Sequence, residues 1–182
     1  MALCDFLIES DIQGYDCSNP MVKGAEEIGW LINRSDIDSY TINNFEATIL
    51  LKCGAKKGYR ITQGGKQPFN GTQQELVEGA NQNTMTNTVQ FVVLKQDENI
   101  AQQLFALMNG EFVAIIVNKN GTNQVYGLET GLHCSAAVRE LYNDDVLAGW
   151  QVTMTEEGAT LANIFVNDAF LTNIEQLTAP CQ

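Results

Sequence analysis

The sequence has one histidine, ten lysines and arginines, and no apolar run near the roughly 18 residues that a membrane span needs. Each scarcity excludes something. With His133 alone, a metal site would need cysteine and carboxylate clusters, and no group of these has ligand spacing. No two of Cys4, Cys17, Cys53, Cys134 and Cys181 stand as CxxC, and their odd number argues against a complete disulfide framework. The ten bases face 22 acids, for a net charge of −12. That sign opposes phosphate binding and excludes a non-specific nucleic-acid binder. Charged residues make up 18%, below the usual ~25%, and Asn, Gln and Thr fill the polar quota. Sustained heptads are missing, which excludes a coiled coil, and a 45% hydrophobic content excludes disorder. The 182 residues suit a single domain, large enough to bury about 70% of its unfolded surface without a disulfide or metal. The opening MALCDFLIESD lacks the basic flank and apolar core of a secretory signal, so free thiols in a reducing compartment are expected.

Chemistry is hard to find in the motifs. His133 and Cys134 are neighbours, so in a strand they point to opposite faces and cannot form a nucleophile–base pair. Asp36 and Asp38 begin like a calcium loop, but Thr41 and Ala47 stand where that loop needs Gly and Glu. Gly64-Gly65-Lys66 lacks the following hydroxyl of a phosphate loop, and no nucleophile elbow occurs. The carboxylate pairs Glu26-Glu27 and Asp144-Asp145 read as solvated faces, and Trp30 and Trp150 as core anchors. The expectation is a non-enzyme with no cofactor and no metal.

Periodicity indicates a mainly β, α+β chain: a β-sandwich or barrel with one packed helix. Residues 1–40 carry no strong period and are punctuated by Gly14, Pro20, Gly24 and Gly29, which suggests an N-terminal arm with short elements before a domain at 41–182. Strands are expected at 47–53, 59–62, 86–95, 111–119, 122–130 and 149–155, with a short one at 164–166. Residues 63–85 read as a long polar loop, and 132–142 have a composition that favours helix, although Gly131 and the preceding hairpin also permit a strand. Asp97 caps a helix over 98–109 whose Ile100, Leu104, Leu107 and Met108 share a face, with Gly110 as the stop. Asn120-Gly121 favours a primed hairpin turn, Asn143 to Asp145 another turn, and 170–177 a short helix. The apolar run Phe112 to Val117 has no polar face, so that strand should be covered on both sides.

Two surfaces stand out. Lys52, Lys56, Lys57, Arg60 and Lys66 give residues 52–66 a charge of +5, while the rest of the chain holds 5 bases against 22 acids, a net −17. Such a segment is either a solvated hairpin or an element that docks on the acidic surface of another copy. Thr88 and Gln90, with Gln151, Thr153 and Thr155, alternate with apolar residues and form neutral, strongly hydrated strand faces.

The order of strand, basic hairpin, polar loop, strand, helix, strand, tight turn and strands resembles the tail-tube family of tailed phages and related injection machines. It is also similar to small virion proteins of Bacteroides-type phages, the crAss-like group included. The stretches that carry the likeness are VKGAEEIGWLIN at 22–33, KGYRI at 57–61, TNTVQFVV at 86–93, Asn120 to Gly127 and Trp150 to Thr153. The resemblance implies a tail-tube or neck-ring subunit in a six- or twelve-fold homo-oligomeric ring, with other tail or neck proteins as partners. It implies a bore for DNA without specific binding, a place in the virion, assembly in the host cytoplasm, and no membrane. The basic segment would then be the oligomer contact and the five Thr/Gln side chains would face the lumen. The alternatives are a small-molecule-binding β-barrel and a capsid-decorating protein.

Overall fold

Alternating apolar and polar residues set most of the secondary structure. The computed structural model describes residues 23–52, 58–95, 97–142 and 149–174. Within them lie β1 (Ala25–Asn33), a 3-10 turn (Arg34–Asp36), β2 (Ile37–Asn43), β3 (Glu46–Leu51), β4 (Tyr59–Thr62), β5 (Gln73–Val77) and β6 (Thr84–Val93). Then come α1 (Glu98–Asn109), β7 (Glu111–Asn118), β8 (Asn123–Tyr126), β9 (Leu132–Arg139), β10 (Trp150–Ala159), β11 (Ile164–Val166) and α2 (Asp168–Ile174). The chain is mainly β within an α+β fold, as its periodicity indicates. No helix among the described residues is long and apolar enough to cross a membrane.

One continuous ladder joins the strands in the order β2-β3-β11-β8-β7-β9-β10-β6-β5, with β1 on the other side of β7 and β4 outside β1. Strand β7 explains its own sequence. Phe112, Ala114 and Ile116 enter one core, with Leu31, Val89, Phe91, Val152 and Met154. Val113 and Ile115 enter a second, with Trp30, Ile32, Ile49, Val125 and Ile164. A strand shared by two cores has no face left for polar residues.

The first core is wrapped by β4, β1, β7, β9, β10 and β6, and a side chain closes the circuit. Gln63, just beyond β4, gives its backbone N–H to Glu27 of β1 at 2.7 Å. Its side-chain Nε2 donates to the Val92 carbonyl at 2.9 Å and its Oε1 accepts the Val92 N–H at 2.8 Å. The amide thus imitates a strand neighbour along the part of β6 that β5 does not cover. A second clasp runs from Gln124 Nε2 on β8 to Gln74 Oε1 on β5, at 3.0 Å. Helix α1 lies beside β9, with Leu104 buried and Ile100 and Leu107 half-buried. Its cap forms as expected, with Asp97 Oδ1 accepting the Ile100 N–H at 2.9 Å. The Lys95 ammonium, 2.6 Å away, holds the Asp97 carboxyl below 3.8.

Several expectations are corrected. The arm assigned to 1–40 does not hold for 25–40, where β1 is a core strand and β2 an edge; residues 1–22 lie outside the described ones. Gly29 is a packing glycine: a Cβ there would stand 2.7 Å from the Phe69 ring. The polar loop at 63–85 contains β5, whose exposed residues carry no core signature. Strand, not helix, runs through 132–139, because β9 pairs with β10 along its length. The Asn120-Gly121 hairpin has positive φ only at Gly121, so it is a three-residue loop with a bulged glycine. The primed turn stands instead at Asn44-Phe45, φ 50° and 64°. Gly110 ends α1 in extended backbone because a side chain there would strike the Phe112 ring. Met108, placed on the apolar face of α1, is 40% exposed. The turn at 143–145 and residues 175–177 of the expected last helix fall outside the described residues.

Candidate functional site

Thr88, Gln90, Gln151, Thr153 and Thr155 come together. The β6–β10 register sets Thr153 against Gln90 and Thr155 against Thr88. Gln90 Nε2 donates to Thr153 Oγ1 at 3.2 Å. Val89, Phe91, Val152 and Met154 fill the opposite face, so the five polar side chains lie on the side of the sheet away from the first core. Thr84, Thr86 and Val92 extend the outer face along β6, and His133, Ala136 and Val138 carry it onto β9. Across these three strands the outer face holds no lysine, arginine, aspartate or glutamate until Glu157. All five side chains are half-buried. Part of that cover comes from Thr72, whose Oγ1 accepts the Gln90 N–H at 3.2 Å, and from Gly71, where a Cβ would collide with the Gln90 amide. On β9, Ser135 is the bulged residue and donates its hydroxyl to the Thr153 carbonyl at 3.2 Å.

The basic residues do not gather at one point. Lys52 stands at the foot of the β2–β3 hairpin and donates Nζ to the Ser35 carbonyl at 2.8 Å. Arg60 lies on β4 with its guanidinium 5.9 Å from the centre of the Trp30 ring. Lys66 is exposed in the loop that follows β4. Lys56 and Lys57 lie outside the described residues.

His133 and Cys134 separate as strand neighbours must. His133 is exposed on the outer face, while Cys134 packs against the first core. Burial pushes the Cys134 thiol pKa up, against a weaker lowering by a backbone hydrogen bond at Ala136. That thiol is the wrong way round for a nucleophile.

A polar cluster that sequence reasoning missed surrounds Glu156. Its side chain is 1% exposed. One oxygen accepts from Asn87 Nδ2 at 2.7 Å and the Gly127 N–H at 2.9 Å. The other accepts from the N–H groups of Glu129 and Thr130, at 3.1 and 2.9 Å, and from the Thr130 hydroxyl. Asn87 in turn accepts from Gln74, which accepts from Gln124. Every donor around the carboxylate is engaged in holding the 127–130 turn, so the cluster organises structure and offers no open acid or base. Two adjacent glutamates carry no such signal in sequence, and only the register of 156 against Asn87 separates the inward Glu156 from Glu157.

Among the described residues, four non-glycines have positive φ, and two of them are phenylalanines. Left-handed backbone costs an L-residue about 1–2 kcal/mol, more at a bulky side chain than at Asn. Phe69, at φ 54°, is 4% exposed and its ring packs over Gly29, so burial offsets the strain. Phe45, at φ 64°, is 52% exposed at the tip of the β2–β3 hairpin. Its carbonyl accepts the Phe165 N–H at 2.8 Å, which fixes the turn. The tip borders an open groove of about 440 Å³ with Glu46, Thr122, Phe165 and Asp168. A second groove, about 490 Å³, lies between Arg34, Glu111 and Thr130. Both are open at the surface, while Phe91, Phe112, Leu132 and Met154 fill the first core. A search of protein families, curated proteins and solved structures returns no match for this chain.

Proposed function

We propose that this chain is a structural subunit of a phage tail or neck that assembles with its own copies into a ring, the bore of which passes DNA. The reading assigns it no catalysis and no cofactor, and it places the assembled protein in the virion beside other tail or neck proteins. The observation that carries it is the uncharged Thr/Gln face across β6 and β10 on a chain of net charge −12. Such a face grips a duplex by neither counterion release nor base contacts, and an acidic surround repels phosphate, so DNA slides. The residues Lys52, Arg60 and Lys66 supply positive charge for contacts with acidic neighbours, as a heterologous ring interface requires. Electron microscopy of the purified protein tests the reading. Rings with a central opening of at least duplex width, about 20 Å, are expected, together with no duplex binding at physiological salt. A monomer at high concentration, or micromolar DNA affinity that collapses as salt rises, would overturn it.

A further inference from the structure

The Phe45 tip is poorly explained by the chain's own fold. Asn-Gly is the favoured pair for a primed turn, and this chain places phenylalanine where glycine belongs. Phe69 tolerates the same backbone because its ring is buried, whereas the Phe45 ring stays half in solvent. The Phe165 N–H holds the turn through the backbone alone and makes no use of the ring, so the exposed ring points to a use outside the molecule. Aromatic residues, phenylalanine included, are enriched at protein interfaces relative to the rest of the surface.

Charge identifies the partner. Glu46 and Asp168 line the groove beside the tip, and no lysine or arginine is among its lining residues. A complementary seat is apolar and basic. The same hairpin carries one at its other end. Leu50 and Lys52 are two residues apart and therefore share the outward face of β3, with Leu50 57% exposed. The two ends are well separated. The tip lies beside the β7–β8 turn, whereas Lys52 bonds Ser35 next to the start of β7. Six residues of β3 span about 20 Å. One copy therefore cannot join its own ends, but a second copy can supply the missing half.

Resting on the ring reading above, we propose that the Phe45 tip of one copy docks against the Leu50–Lys52 end of the next. Phe45 meets Leu50, and Glu46 faces Lys52. The contact is head to tail, so each copy keeps one tip and one seat free for the next, and the chain of contacts closes as a ring.

The test is Phe45→Gly in the full chain, followed by thermal unfolding at a concentration where both chains are monomeric and by sedimentation velocity over a concentration series. The expected result is a melting temperature higher by about 2–4 °C with self-association weakened at least about tenfold. A lower melting temperature would mean that the ring is compensated within its own fold, and it would overturn the proposal. So would unchanged association. Glu46→Lys and Lys52→Glu copies should each associate weakly alone and recover when mixed, because the two reversals restore opposite charge at every contact. Mixtures that do not recover would overturn the pairing of these two ends. A wild-type chain that stays monomeric removes the ring reading itself, whereas wild-type rings with an indifferent Phe45→Gly variant remove only this contact.

Discussion

Glu156 collects five hydrogen bonds on two oxygens while almost wholly buried. Only an ionised carboxylate can accept at every position, because a neutral amide presents one acceptor and turns two donors on the others. Glu156→Gln should therefore destabilise the fold by about 2–4 kcal/mol, read from the urea midpoint at constant slope, since hydrogen bonds to charge contribute about 1.5–3 kcal/mol and the stranded donors add desolvation. An unaltered midpoint would mean that the 127–130 turn holds itself. Tyr126 supplies a pH dependence. Burial raises its phenol from 10.0 to about 12. The unfolded chain then loses the proton first as pH rises, so stability is complete below pH 10 and falls between 10 and about 12. The loss across that window is on the order of 2–3 kcal/mol. Tyr126→Phe should remove this part of the alkaline slope in denaturation curves taken at successive pH values.

Elements with a clean period were legible in the sequence. The helix at 98–109 was readable because a cap, an apolar face and a stop agree, and β10 because Trp150, Val152 and Met154 alternate with polar neighbours. The apolar run of β7 announced its double burial. Elements held by partners far along the chain were not legible. Strand β5 has an exposed pattern and exists because β6 pairs with it. Strand β9 has a helix-compatible composition and becomes extended because β10 lies alongside. Strand β1 was hidden by Gly29, which reads as a break but lies under the Phe69 ring. The candidate site divides in the same way. Alternation alone placed Thr88, Gln90, Gln151, Thr153 and Thr155 on outward faces, and their union into one patch needed the β6–β10 register. The Phe45 tip carried no signal, since a phenylalanine between two strands looks like core and left-handed backbone is not written in composition.

At the scale of the whole molecule, the two cores share β1 and β7, so neither can melt and leave the other intact. Each core has its own reporter, because Trp30 lies in the second and Trp150 packs against the first. Trp30→Phe and Trp150→Phe variants, each followed through its remaining indole, should show one coincident denaturant transition. Adding Phe91→Ala to the first core should shift both reporters equally, by about 3–5 kcal/mol. Separated midpoints would mean that the shared strands do not couple the halves. The same sharing has a consequence for synthesis. Strand β1 is made early, but its partner β7 begins at Glu111, roughly 80 residues later. At ~5–20 residues per second, a ribosome leaves Trp30, Leu31 and Ile32 without that cover for about 4–16 seconds. Nascent chains are therefore at their stickiest just before β7 emerges, and codon speed or chaperone capture over that interval should govern how many copies fold.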